Sequence, residues 1–385
     1  MRFFHIICYG LPSYPRLYRG GTTKNGDSLF MQTKTPPRFF FAALNTADGF
    51  KGYFSEIFGS LDRLYIIKGG PGTGKSRFIT EIGKHAETLG RTVEYFCCSS
   101  DPRSLDGIII YSEDCSQRFG VIDGTPPHAV DPVLPGAVDR IINLGDFWNS
   151  SQLSKRTKEL SELNSAKERL YSSVYCSLCA VRAFDRITES AVSRTVDLEK
   201  MSAATDRLLR CVPRGDGYRE TVRFRQSVGC DGAVKLNTYS QIATHKVAVI
   251  DRAFSANTFM LLLQNSLRAL RQTVTVSRSP YFPDVPDAIY VPSIDTSFYV
   301  GSEGVPDERT VNMQRFICDG LLAPFKPKLR ALSRLRRDTL SYLFTDYARI
   351  RSLHSATEAI YGEAMDFSQN QRLIEQTKAE IFGDF

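Results

Sequence analysis

The stretch LYIIKGGPGTGKS, residues 64–76, decides the fold. Leu64–Lys68 is a short apolar run, the pattern of a parallel strand buried on both faces. Gly69–Ser76 then matches GxxxxGK[ST] in full. From Ser76 onward, Phe78, Ile79, Ile82, Ala86 and Leu89 recur at helical spacing, and Gly90 ends the pattern. Strand, glycine loop and helix form the setting of a phosphate-binding loop. Gly69, Gly70, Gly72 and Gly74, interrupted only by Pro71 and Thr73, allow turns that side chains forbid. Their N–H groups can then converge on phosphate oxygens at the positive end of the helix. Lys75 offers a compact charge to β- and γ-phosphates, and the Ser76 hydroxyl suits Mg²⁺. These residues predict ATP and Mg²⁺ as ligands.

A second Mg²⁺ group is expected at the end of another strand. Arg118–Gly124 reads RFGVIDG, so Asp123 follows an apolar run as a Walker B aspartate should. The alternative is an ordinary Asp-Gly turn. Gly124 stands where many ATPase motors carry a glutamate. Hydrolysis is therefore expected to be slow, or its water-orienting group comes from elsewhere. Thr92–Cys98 reads as the next strand, and Ser99, Ser100 and Asp101 fall at its carboxyl end, where open α/β sheets bind ligands. Asp101 is a candidate for orienting water, or it caps the turn before Pro102. His128, in GTPPH, is a loop histidine near the expected site.

The chain repeats itself. Residues 221–250 lie over 38–67 at an offset of 183, with Phe41 on Phe224 and Asp48-Gly49 on Asp231-Gly232. Past the loop the offset is 181, with Phe78 on Phe259, Pro102 on Pro283 and Asp106 on Asp287. The second copy has RAFSAN (252–257) in place of the glycine loop, and Ala256 stands where Lys75 stands. Phe298 and Val300 align with Phe119 and Val121, which sets Ser302 opposite Asp123, with Glu303 one slip away. Without glycines or lysine this copy should not bind nucleotide. Arg278 aligns with Cys97 and is a candidate finger across the halves only if they meet site to site.

Residues 152–210 and 327–382 carry apolar positions at helical spacing, each long enough for an antiparallel helical hairpin. They are expected to be arms or lids that offer a surface to a protein partner. Residues 322–351 hold Lys326, Lys328, Arg330, Arg334, Arg336, Arg337, Arg349 and Arg351 against Asp338 and Asp346. That stripe is compatible with nucleic acid. The interleaved leucines favour a solvated amphipathic helix.

The whole chain of 385 residues carries 49 basic and 42 acidic residues, a net charge of +7. Hydrophobic content of 42% and charged content of 24% exclude gross disorder and collagen-like structure. No apolar run reaches membrane-spanning length. Nine cysteines without framework spacing fit reduced thiols and a cytoplasmic setting. Cys176 and Cys179 form an isolated CxxC within a helical pattern, and Cys97-Cys98 reads as packing. Residues 1–37 are expected to be a disordered tail, with Met31 a candidate start.

The runs KGGPGTGKS, YFCCSSDPRSLDGIII, VIDGTPPHAVDP and PGAVDRIINLGDFW together resemble an uncharacterised family of bacterial P-loop ATPase-like proteins with two tandem halves. The likeness spans 38–385. It implies an α/β P-loop NTPase-type parallel sheet, duplicated, and ATP binding. It carries Gly69–Ser76 and Asp123 over as nucleotide and Mg²⁺ residues, and it implies no firm reaction. The expected organisation is a nucleotide-binding half (38–215) and a degenerate half (216–385), each with a helical arm. The expected function is a Mg²⁺-dependent ATPase whose nucleotide state moves the arms. A nucleotide or small-molecule kinase and a non-catalytic nucleotide sensor are the alternatives.

Overall fold

The computed structural model describes residues 36–251 and 254–383. The expected tail therefore lies outside the described residues, apart from Pro36 and Pro37, as do Arg252 and Ala253 of the second loop.

The first sheet is built from β1 (Arg38–Phe41), β4 (Arg63–Lys68), β5 (Val93–Cys97), β6 (Leu105–Tyr111), β7 (Arg118–Asp123) and β8 (Asp139–Asn143). Between them lie the hairpin β2 (Ala43–Thr46) and β3 (Gly49–Gly52), then α1 (Phe54–Phe58) and α2 (Lys75–Thr88). A short α3 (Ser150–Ser154), the long α4 (Thr157–Ser193) and α5 (Leu198–Leu209) follow. The second sheet repeats the plan with β9 (Arg219–Val222), β12 (His245–Ile250), β13 (Thr273–Arg278), β14 (Pro286–Val291), β15 (Thr296–Val300) and β16 (Glu308–Asn312). Its hairpin is β10 (Gln226–Gly229) and β11 (Gly232–Lys235), with helices α6 (Thr238–Gln241), α7 (Ser255–Ala269), α8 (Asp319–Leu322), α9 (Lys326–Glu363) and α10 (Phe367–Gly383).

The strand orders are β1-β5-β6-β7-β4-β8 and β9-β13-β14-β15-β12-β16, the same topology twice. The sheets are mixed, which corrects the expected parallel sheet. β6 runs antiparallel to both β5 and β7, and β14 to both β13 and β15. The connections explain this. The turn after β5 closes through Cys98 N–H on Ser104 O at 2.9 Å, and the turn after β6 through Ser112 N–H on Gln117 O at 2.9 Å. Such short links make hairpins, because a parallel crossover needs a dozen or more residues.

Alternation along β4 builds two cores. Tyr65 and Ile67 face Phe78, Ile79 and Ile82 of α2. Leu64 and Ile66 face a shared core with Phe54 and Phe58 of α1, Tyr239 of α6 and Tyr299 of β15. The repeat is visible in the backbone. Phe41 and Phe224, which the offset of 183 superposes, bond reciprocally at 2.8 and 3.2 Å. They sit on the pseudo-twofold axis.

The arms are exchanged between halves rather than folded as hairpins on their own. α4 and α9, of 37 and 38 residues, lie antiparallel. Arg156 pairs with Glu363, Ser173 with Asp346, and Asp185 with Arg336, at 2.9, 2.6 and 2.7 Å. The chain then crosses over. Met201, Ala204 and Leu209 of α5 bury against Phe259, Met260 and Leu263 of α7 in the second half. Ile374 and Ile381 of α10 bury against Phe78 and Ile82 of α2 in the first. Each fully buried isoleucine contributes about 1.5–3 kcal/mol, so these seats hold the exchange. Two bridges pin the crossovers, Trp148 to Met365 and Val196 to Ile317. The expected boundary near 215 thus separates the sheets but not the helices that cover them. Among the described residues, no helix is long and apolar enough to cross a membrane.

Candidate functional site

The site forms where the carboxyl ends of β4 and β7 meet the start of β6. β4 ends at Lys68, and α2 begins at Lys75 after a loop in which Gly72 and Gly74 have φ of +73° and +87°. Both angles lie in the region that glycine enters without strain. No side chain caps the N-terminus of α2. Its first amides therefore face the loop with their partial positive charge.

Lys75 folds back over the loop. Its Nζ donates to Gly69 O and Gly70 O at 2.8 Å each and lies 3.6 Å from Asp123 Oδ2. Thr73 Oγ1 donates to Gly70 O at 2.8 Å and braces the turn. Ser76 Oγ accepts the Leu105 N–H at 2.9 Å, linking the loop to the start of β6. Asp123 is held by Thr125, whose N–H and Oγ1 donate to Oδ1 at 2.9 and 2.6 Å. Pro71 lies in the same loop, half-buried.

Sequence reasoning passed over Asp106 as a functional residue. Gly107 pairs with Ile122 across β6 and β7, which sets Asp106 beside the end of β7, next to Asp123. In an all-parallel sheet that residue would sit at the opposite edge. The hairpin before β6 is what delivers it. Burial pushes the Asp106 carboxyl up to about 6, the Asp123 carboxylate adds to the rise, and His128 and Lys75 oppose it. His128 Nε2 lies 3.6 Å from Asp106 Oδ1, and Nδ1 lies 3.0 Å from the Asp123 carbonyl oxygen. Nδ1 facing a carbonyl carries a proton. Lys68 holds the loop that carries His128, donating to Gly124 O at 2.9 Å and Val130 O at 2.7 Å. The Phe54 ring walls the imidazole at 4.9 Å. The structure thus brings together Lys75, Asp123, Asp106 and His128.

Asp101 has other partners. Arg103 Nε and Arg351 Nη2 reach its Oδ1 at 3.1 and 3.4 Å. Burial alone would raise its carboxyl, but these arginines outweigh burial and hold it below the usual range. Ser99 O and Ser100 O accept from Ser227 Oγ and Cys230 N of the second half, both at 2.7 Å. The SSD segment therefore fastens the first sheet to the β10–β11 hairpin. Arg278 pairs with Glu220 on neighbouring β9 in its own half. Cys97 is buried among Phe41 and Phe224, and burial raises the Cys98 thiol well above its usual range. Cys176 and Cys179 are exposed on α4.

The second copy is closed at the equivalent point. Asp251 Oδ1 accepts from Ser255 Oγ at 2.8 Å and its Oδ2 from Ala256 N at 3.1 Å. An internal carboxylate thus sits where the first copy offers bare amides. The register also corrects the alignment, since β4 (63–68) and β12 (245–250) correspond end to end, which sets Val249 on Ile67 where the offset of 183 puts Ile250. Ile67 pairs with Asp123, and Val249 pairs with Val300. Gly124 N–H bonds Ile67 O at 2.9 Å, and Gly301 N–H bonds Val249 O at 2.8 Å. Val300, not Ser302 or Glu303, occupies the place of Asp123. Shorter turns between β14 and β15 moved the register by two residues. Glu303 instead pairs with the buried Arg225 at 2.8 Å.

The basic stripe is partly neutralised. Arg336 pairs with Asp185 at 2.7 Å and Arg351 with Asp231 at 2.7 Å. Lys326, Lys328, Arg330, Arg334 and Arg337 remain exposed on α9.

The arm from the second half lies over the glycine loop. A Cβ on Gly72 would stand 2.4 Å from Glu358 O of α9. One on Gly70 would stand 3.3 Å from Trp148 and 3.4 Å from Tyr361. Asn370 of α10 donates to Thr73 O at 2.9 Å. Compared with family models, curated proteins and solved structures, the chain matches none.

Proposed function

We propose that the first half binds a nucleoside triphosphate with Mg²⁺ and hydrolyses it slowly, and that the exchanged arms follow the state of the site. The observation that carries this reading is Lys75 beside Asp123, over a glycine loop that leads into an uncapped helix. Backbone amides at the start of α2 and the Lys75 ammonium would take the phosphate oxygens. The donor set, a hydroxyl on Ser76 and a carboxylate on Asp123, is the hard oxygen chemistry that Mg²⁺ prefers. Held there, Mg²⁺ would neutralise charge on the β- and γ-phosphates.

His128 and Asp106 supply what Gly124 does not. Water attacks the γ-phosphorus, its proton passes to the His128–Asp106 pair, and the bond to the β-phosphate oxygen breaks. Nucleoside diphosphate leaves with that electron pair. The Phe54 wall and burial keep bulk water from the pair. Coupling to the arms follows from contact, since Glu358, Tyr361 and Asn370 of the second half touch the loop directly.

The test is phosphate release from Mg²⁺-ATP by wild type and Lys75→Ala. Slow release that Lys75→Ala abolishes is expected. Wild type that neither binds nor hydrolyses ATP or GTP ends the proposal. Phosphate appearing on an added metabolite, and not in solution, transfers the site to a kinase.

A further inference from the structure

The two flanks of the phosphate loop differ in chemistry. On the β7 side stand Asp123, Asp106 and His128, the polar side chains of the reacting end. On the β8 side lies the start of α10, tied to the segment that follows β8 by Asp366 N–H on Phe147 O at 3.0 Å and by the Trp148–Met365 bridge. A triphosphate laid along the loop with its terminal phosphate at Lys75 and Asp123 directs its nucleoside away from β7, towards α10.

The start of α10 has the composition that receives a nucleobase. Phe367 is 42% exposed although it is a large apolar ring. Its Cε1 lies 3.7 Å from the point where a Gly74 Cβ would stand, so the ring borders the loop. Gln371 Oε1 accepts from Arg77 Nη2 at 3.0 Å, which places a guanidinium plane and an amide one turn beyond the ring. Asn370 is 3% exposed and lies against the loop through its bond to Thr73 O. Its Oδ1 has no hydrogen-bond partner among the described residues. A buried acceptor without a donor points to a ligand group, because such atoms are otherwise satisfied.

We infer that the start of α10 is the nucleoside site of the phosphate loop: the base stacks on Phe367, Arg77 and Gln371 read its edge, and Asn370 Oδ1 takes a nucleoside donor. The inference rests on the proposed function of the loop and adds the group that selects nucleotide over bare polyphosphate. It also gives the exchange a purpose, since the nucleoside side of the first-half site is built by the last helix of the second half. Aromatic stacking tolerates any base, so the ring supplies affinity and the polar pair supplies discrimination.

The experiment compares Mg²⁺-ATP, Mg²⁺-GTP and Mg²⁺-tripolyphosphate binding to wild type, Phe367→Ala, Phe367→Trp and Gln371→Ala by titration calorimetry, with thermal melting as the folding control. Phe367→Ala should weaken nucleoside triphosphates about tenfold, while Phe367→Trp restores binding. Tripolyphosphate affinity should stay at the wild-type value in both. Gln371→Ala should change the ratio of ATP to GTP affinity. Equal loss of tripolyphosphate and nucleotide in Phe367→Ala, or no loss of either, overturns the inference while leaving the phosphate loop intact. Wild type that binds neither polyphosphate nor nucleotide overturns the loop reading itself.

Discussion

The helices α2 and α7 occupy equivalent places in the two halves and begin in opposite ways. Each follows the strand next to one edge of its sheet, and each is preceded by a residue in the left-handed region, Gly74 and Phe254. α2 presents its amides to a glycine loop with a lysine above them. α7 gives its Ala256 amide to Asp251. The same helix dipole thus meets an internal carboxylate in the second half and, on the proposed function, an external anion in the first. The difference lies in how the helix start is filled: from within in the second half, and left open to the glycine loop in the first. Val300 in place of Asp123 completes the change.

The largest expected effect strikes one side of this comparison only. Lys75→Ala should weaken Mg²⁺-ATP at least about a hundredfold, because it uncovers phosphate charge in a part-buried site. Ala256→Lys should create no second site, since the Asp251 carboxylate still occupies the helix start. Calorimetric titration of both variants checks the pair, and gain of binding in Ala256→Lys breaks the comparison.

Asp106→Asn should come next. Phosphate release should fall about a hundredfold with ATP affinity little changed, the mark of a group that acts on the proton and not on binding. A matching fall in affinity would reassign Asp106 to the binding of phosphate or Mg²⁺. Asp287, its counterpart, serves structure instead, bonded to Arg225 and Ser277 at 2.7 and 2.6 Å.

Gly72→Ala tests whether the arm from the second half rests on the loop. A Cβ there meets the Glu358 carbonyl and a positive φ together, so stability should fall by about 2 kcal/mol in urea unfolding. An unchanged midpoint would mean that α9 does not cover Gly72. The smallest effect belongs to Asp251→Ala, which should cost about 1 kcal/mol as a lost helix cap and leave nucleotide binding untouched.

Local chemistry was legible in the sequence because it is contiguous. Loop, strand and helix around Lys75 are read from neighbours in the chain, and the duplication from ordered matches. What escaped depends on distance and direction. Asp106 reaches the site because β6 runs antiparallel, and no periodicity reports strand direction. Ser302 was aligned to Asp123 because the alignment counted residues, whereas register follows hydrogen bonds. The helical spacing of 327–382 showed an apolar stripe but not its partner. For α9 that partner is α4, and for α10 it is α2, almost three hundred residues earlier, as the bond from Asn370 to Thr73 just before α2, with its separation of 297, records.

The central claim is that one half holds a nucleotide and the other cannot. Its most direct test is the binding stoichiometry of Mg²⁺ with a non-hydrolysable ATP analogue, titrated into the full chain. One nucleotide per chain, lost in Lys75→Ala, is the predicted result. Two per chain would contradict the closure of the second copy by Asp251, and none would contradict the phosphate site of the first.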